Sequence, residues 1–237
     1  MASQARVLKG PRGRRMVVPL VSALLATLVV VAGIISWTEG RGPTASSGQE
    51  MGAPPAGAKS GKGEQVLTTV YTTGYTWFDN TPPGSARISN PRVHRRAGGT
   101  GTYTDPITLA VGHSRANGQD VLDLPDGTRV YVTHVRRYFV VEDTCGDGAL
   151  PQTHGCHSLA GAPRGATLWV DLYVGGGAGD TRADVQGCAG RVTDGDGASL
   201  HTVILNPRPG YAVAGQSIFH DHQCTDLFPQ RAVRAGG

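Results

Sequence analysis

For residues 67–237 of this 237-residue chain the sequence predicts an all-β fold of short strands and long loops, on three observations. Glycine and proline are abundant, at 35 and 15 residues, which favours turns between short strands over helices. No stretch after residue 67 carries a sustained helical period. Short runs of β-branched and aromatic residues instead recur between clusters of turn-forming residues.

The N-terminus has a different character. Arg6, Lys9, Arg12, Arg14 and Arg15 precede an uncharged run from Met16 to Trp37. A spanning helix needs roughly 20 apolar residues, whereas the apolar core of a secretory signal is usually about 7–15, and no small-x-small cleavage pattern follows this run. The expected organisation is a cytoplasmic basic segment at 1–15, a transmembrane signal anchor at 16–37 and a flexible Gly/Ala/Pro/Ser/Lys linker at 38–66. The basic flank places the C-terminal domain outside the cell membrane, single-pass; cleavage would make that domain secreted instead.

Within the domain, Val66 to Tyr75 reads as a first strand, followed by a turn carrying Trp77, Phe78, Asp79 and Asn80. Its two aromatics either stack on a sugar face or plug the end of a barrel. The polar, Arg-rich loop from Ser85 to Thr104 reads as a surface or cleft-lining segment. Ile107–Val111 is the next strand, and the Pro-Asp-Gly turn in Leu124–Val132 feeds another. Tyr138–Asp143 follows: four apolar residues with the pattern of a buried strand, passing at once into Glu142, Asp143, Thr144 and Cys145. Alternation turns Glu142 away from Asp143. In Leu168–Val174 the apolar residues share one face, and Asp171 lies between Trp169 and Tyr173 on the other. The pattern then weakens until Leu200–Leu205, and the Arg/Ala/Gly fringe at the C-terminus is expected to fray.

Charge excludes one class of partner. The chain carries a net +4, but residues 67–237 hold fourteen arginines, no lysine and fifteen acids. The basic footprint of a nucleic-acid binder is absent from the folding part. All four cysteines, Cys145, Cys156, Cys188 and Cys224, fall in the domain expected outside, where an even count reads as two disulfides. Of three connectivities, Cys145–Cys156 and Cys188–Cys224 are preferred. A zinc site on Cys145, His154, Cys156 and His157 would lack paired C-x₂-C spacing. His220 and His222, straddling Asp221, read as a solvated loop in preference to a metal site, so no cofactor or metal is expected.

The succession L-P-D-G-T-R-V-Y-V, F-V-V-E-D-T-C-G-D-G and L-W-V-D-L-Y-V-G-G resembles the double-psi β-barrel superfamily over residues 70–176. Within it the likeness is greatest to the three-aspartate domain of the membrane-bound lytic transglycosylase A group and of secreted actinobacterial cell-wall proteins. Rare lipoprotein A and the expansins are also similar. The resemblance implies a six-stranded double-psi barrel, and it assigns Asp143 and Asp171 to the second and third acids of the three-aspartate pattern. The first acid is missing: the chain reads Ala110-Val111-Gly112-His113 there, with Asp105 upstream.

Two function classes follow. One is a membrane-anchored, extracytoplasmic enzyme cleaving peptidoglycan or a related polysaccharide, with Asp143 and Asp171 as catalytic residues. Cleaving a glycosidic bond needs a protonated carboxyl, which desolvation or a like charge nearby can supply. The other is a non-catalytic, expansin-like module that binds or loosens polysaccharide; a scaffold for another secreted protein is a weaker third. Tyr75, Trp77, Asp105, His113, Trp169 and Tyr173 are the expected substrate contacts, with peptidoglycan and the membrane as partners and the protein a monomer. A structural role is open for both acids: Asp143 could cap a turn, and Asp171 could pair with an arginine such as Arg137.

Overall fold

The computed structural model describes residues 63–236; the expected basic segment, membrane anchor and nearly all of the linker lie outside the described residues. Ten strands follow in order. They are β1 (Gln65–Thr76), β2 (Ile107–Val111), β3 (His113–Ser114), β4 (Val121–Leu122) and β5 (Arg129–Val132), then β6 (Arg137–Thr144), β7 (Leu168–Gly175), β8 (His201–Leu205), β9 (Phe219–His220) and β10 (Gln223–Cys224). Two α-helices accompany them, α1 (Gly155–Ser158) and α2 (Arg182–Asp194). The six expected strands all form, and they close a barrel in the order β1-β7-β2-β6-β5-β8. Closure leaves no unpaired barrel edge.

Two strand pairs in the barrel are parallel, β1 with β7 and β2 with β6; the other pairs are antiparallel. Strands consecutive in the chain are mostly not neighbours in the barrel, so their connections are long. The longest between barrel strands runs from 77 to 106, from β1 to β2 on the far side of β7, and it contains the Arg-rich loop. Apolar residues alternating along the strands, among them Leu109, Val111, Phe139, Val141, Val170 and Leu172, fill the core.

Each parallel pair slips register by one residue near the end of its earlier strand. On β2, Leu109 faces Val141, but the next residue, Ala110, faces Asp143. Glu142 is therefore an extra residue on β6, a bulge of the kind that re-aims a side chain beside a site. On β1 the shift falls between Tyr75 and Thr76, opposite Tyr173 and Gly175.

Three expectations need correction. The stretch after Gly177, read as patternless, contains α2, a 13-residue helix. Its buried residues, Val185, Cys188, Ala189 and Val192, have i, i+3, i+4, i+7 spacing, and Thr181 caps it by accepting the Asp184 N–H. Gly187, Gly190 and a mostly polar remainder masked that short stripe. Second, the C-terminus is docked. Ala235 N–H bonds the Gly210 carbonyl at 2.8 Å, and the Arg234 guanidinium lies 3.9 Å from the Tyr211 ring centre. Third, Arg137 is far from pairing with Asp171: it is fully buried and donates to the carbonyls of Val135, Gly215 and Gln216 and to the Thr225 hydroxyl. It ties β6 to the C-terminal segment, and burial pulls its pKa down to about 10.

The disulfides join Cys145 to Cys156 and Cys188 to Cys224, with Cα separations of 6.0 and 5.3 Å. A zinc site on Cys145 and Cys156 is thereby removed. Closing a loop of the first size contributes roughly 3 kcal/mol in the chain-entropy view. The second disulfide fastens α2 to β10.

Candidate functional site

Ala110 is the geometric reference. It pairs with Asp143 of β6 on one side and with Asp171 of β7 on the other. With neighbouring strands about 4.8 Å apart, the two aspartates stand two strand spacings from each other across β2. Both line one open cleft of about 220 Å³, together with Tyr75, Asp79, Ser89, Thr144 and the disulfide-loop residues Cys145, Gly146 and Asp147. A separation of 28 residues in sequence is thus closed by strand order.

Asp143 is held on both oxygens. Its Oδ1 accepts the Ser89 N–H at 3.0 Å, the Ser89 hydroxyl at 2.7 Å and the Thr144 N–H at 2.9 Å; Oδ2 accepts the Tyr75 hydroxyl at 3.1 Å. Ser89 spends its proton on Asp143, so the Thr144 hydroxyl, 2.8 Å away, donates to Ser89. Desolvation raises the Asp143 pKa, while the donors from Ser89, Thr144 and Tyr75 oppose that rise.

Asp171 is less encumbered. Thr73, its register partner on β1, donates to Oδ1 at 2.7 Å, and Oδ2 has no protein partner among the described residues. Desolvation raises its pKa to about 7; Asp79 and Asp143 push the same way, and Thr73 opposes. Asp171 is therefore a carboxyl that holds its proton near neutral pH, beside a carboxylate fixed by four donors.

Two further acids line the cleft, Asp79 and Asp147, neither of them among the expected site residues. Asp79 follows β1 in the turn and lines the cleft; its Oδ1 accepts both the N–H and the hydroxyl of Thr76 at 2.6 Å. Gly112, where the three-aspartate pattern has its first acid, has no room for one. A Cβ there would come within 2.6 Å of the Cys156 carbonyl and would strike the Asp123 carboxylate.

Glu142 is the extra residue of the β6 bulge, where simple alternation no longer holds, and its carboxylate has a task outside the cleft. It is fully buried and accepts the backbone N–H groups of Arg92 at 3.0 Å, of Val93, and of His94 at 2.8 Å. The His94 ring bridges it to Asp105 at 2.7 and 3.0 Å. Burial opposes ionisation of Glu142, but the His94 backbone and ring and the Val93 and Arg92 amides hold its pKa below the ordinary value. This carboxylate pins the Arg-rich loop whose earlier residues, Arg87 to Ser89, wall the cleft. The loop's own pattern could not show this, because its anchor lies fifty residues away on β6.

The other expected contacts scatter. Tyr75 lines the cleft, and Tyr173, buried, packs on it with ring centres 5.3 Å apart. Trp169 acts at one remove, donating Nε1–H to the Thr73 hydroxyl at 2.8 Å. Trp77 and Phe78 meet edge to face, and Phe78 packs on the core. Asp105 belongs to the His94 bridge. His113 is buried, bonded to Asp120 at 2.5 Å and donating to the Gly146 carbonyl at 3.0 Å, so it braces the disulfide loop from behind. His222 pairs with Asp180 at 3.0 Å.

A family model described as the DDB_G0273701 N-terminal domain matches residues 67–225. The chain belongs to that family. The span matched by the DDB_G0273701 N-terminal domain includes all four cysteines and the cleft residues Asp79, Ser89, Asp143, Asp147 and Asp171. Over 86 residues the chain is 38% identical to the Dictyostelium discoideum protein named Uncharacterized protein DDB_G0273701/DDB_G0273221. That alignment covers 36% of this chain and 34% of the relative, so the chain spans about a third of the curated relative's length. No solved structure matches.

Proposed function

We propose that the domain acts on polysaccharide at the Asp143–Asp171 cleft, as a glycan-cleaving enzyme in which Asp171 is the general acid. The observation that carries this reading is the unequal treatment of two carboxyls flanking Ala110. Asp171 holds a proton to about pH 7 with one oxygen uncommitted, while Asp143 is fixed by four donors.

In the proposed reaction Asp171 gives its proton to the glycosidic oxygen as the C–O bond breaks. The Asp143 carboxylate faces the positive charge that develops on the sugar. The sugar's own 6-hydroxyl can then close on that carbon as in lytic transglycosylases, its proton passing to the Asp171 carboxylate and so restoring the acid. Alternatively water adds, its proton taken by Asp79, whose second oxygen has no protein partner among the described residues. The closed barrel with two parallel pairs supports a double-psi arrangement, and peptidoglycan or a related wall polysaccharide is the proposed substrate. An anchor at 16–37 would hold the domain outside the membrane within reach of it.

A non-catalytic, expansin-like reading draws on Gly112, which excludes the first acid of the three-aspartate pattern. One experiment separates the two readings. The purified protein is incubated with insoluble peptidoglycan, and soluble fragments and sedimented protein are both measured. Fragment release abolished in Asp171→Asn supports the enzyme; co-sedimentation without release in the wild type supports binding alone.

A further inference from the structure

Trp169, Thr73 and Asp171 form a chain of hydrogen bonds whose direction is dictated by chemistry. The indole Nε1–H is a donor only. It points at the Thr73 hydroxyl oxygen at 2.8 Å, so that oxygen accepts. The hydroxyl has one proton of its own, and the polar atom it meets next is Oδ1 of Asp171 at 2.7 Å. Thr73 therefore donates to Oδ1, and a proton on Oδ1 would turn it into a hydroxyl oxygen, the weaker acceptor of the two, so the bond from Thr73 favours the acidic proton of Asp171 on Oδ2.

The framework holds this arrangement in register. Tyr71 pairs with Trp169 and Thr73 with Asp171 on adjacent parallel strands, which puts the indole and the carboxyl on one face two residues apart. The indole packs edge to face on Tyr71 at 4.7 Å. Its other side lies against Gly155 in the disulfide loop, where an added Cβ would come within 2.7 Å of the ring. The indole is thus wedged between β1 and that loop, and among the described residues no polar group other than Thr73 meets Nε1.

We propose that Trp169 is a positioning residue: by donating to Thr73 it commits the Thr73 proton to Oδ1 of Asp171 and biases the acidic proton of Asp171 to Oδ2, the oxygen with no protein partner among the described residues. This rests on the reading of Asp171 as a general acid and says which oxygen is the acid. A carboxyl with a freely rotating hydroxyl neighbour can hold its proton on either oxygen; here the proton is kept on the oxygen that no protein group among the described residues engages. Thr73 also favours the ionised form of Asp171, so the acid stays strong enough to release its proton despite desolvation.

The test is a titration of Asp171 in the full-length protein, followed by the side-chain carboxyl ¹³C signal of aspartate-labelled samples and assigned with Asp171→Asn. The titratable groups facing Asp171 are Asp79 from the turn after β1, Asp143 from β6, and Tyr71 and Tyr75 from β1, all unchanged in the variants. Thr73→Val removes the donor and is expected to raise the midpoint by about one pH unit. Trp169→Phe keeps a ring between Tyr71 and Gly155 but frees the Thr73 hydroxyl to accept from the acid. It is expected to raise the midpoint by a smaller amount, and to move the pH profile of fragment release with it. Thr73→Ser keeps the relay and should titrate as the wild type does. A Trp169→Phe midpoint equal to wild type, or a Thr73→Ser midpoint displaced as far as that of Thr73→Val, overturns the relay. Thr73→Val reports independently should the Trp169 variant fail to fold. Because the titration needs no substrate, a wild type that titrates as expected yet releases no fragments counts against the glycan-cleaving reading and for the relay.

Discussion

Thr72 and Thr73 are neighbours on β1 and serve opposite faces of the strand. Thr72 is fully buried and its hydroxyl lies 2.7 Å from Nδ1 of His201; Thr73 donates at the same distance to Asp171. On the first face, His201 also reaches Asp196 at 3.3 Å and stacks on His134, ring centres 4.0 Å apart. His134 in turn donates Nε2–H to the Val192 carbonyl of α2 at 3.1 Å. Both imidazoles are sealed, and burial pushes His134 down to about 4 and His201 below its ordinary value. On the second face burial pushes Asp171 up to about 7. Desolvation favours the neutral forms of His134, His201 and Asp171 alike, but one face is closed under helix α2 and the other lines a cleft. An unpartnered oxygen on a proton-holding acid, rather than burial itself, separates a site from a structural layer.

The largest expected effect that would break this contrast is on activity. Asp171→Asn should lower fragment release by about 10²–10⁴-fold, the range for a lost general acid, with the fold intact by circular dichroism. Retained release in that variant would remove Asp171 from the chemistry.

Next is the loop anchor. Glu142→Ala leaves the Arg92, Val93 and His94 amides and the His94 ring without their acceptor. It should cost about 3 kcal/mol, read from the urea midpoint, and should weaken activity by loosening Ser89. Loss of activity with unchanged stability would mean that Glu142 belongs to the cleft after all.

The two faces also pull stability in opposite directions with pH. The folded pKa of Asp171 is raised above its ordinary 3.8, so its contribution is fully present below that value and is lost as pH rises through about 7. The folded pKa of His134 is depressed below 6.5, so its contribution is present above that value and is lost as pH falls toward about 4. The two contributions change in opposite senses over the same window, about pH 4 to 7, and largely cancel, so the melting temperature should vary little there. Asp171→Asn should unmask a melting temperature that rises with pH across that window, and His134→Phe one that falls. The smallest effect is at the helix cap: Thr181→Ala should cost about 1 kcal/mol in the same urea measurement and leave release unchanged.

Much of this was legible in the chain. The six barrel strands announce themselves by period and by turn residues, and the preferred disulfide pairing is the one that forms. Asp143 and Asp171 stand out because each interrupts an apolar strand. Helix α2 carried a signal too, Thr181 and Asp184 before Val185, Cys188, Ala189 and Val192, but glycine and polar residues diluted its period below notice. Asp79 and Ser89 carried none: an aspartate in a turn and a serine in a loop are what turns and loops ordinarily contain.

What the sequence by itself determined is local. Alternation put Trp169, Asp171 and Tyr173 on one face, since side-chain direction along an unbroken strand depends on residue order alone. Only the tertiary structure decided which carboxylates share a cleft. Strand order set β2 between β6 and β7, and a one-residue bulge at Glu142 set Asp143 opposite Ala110. It also left Gly112 no room for a side chain and brought Thr73 between an indole and an acid. Those outcomes depend on pairings between residues tens of positions apart, where no local periodicity reaches.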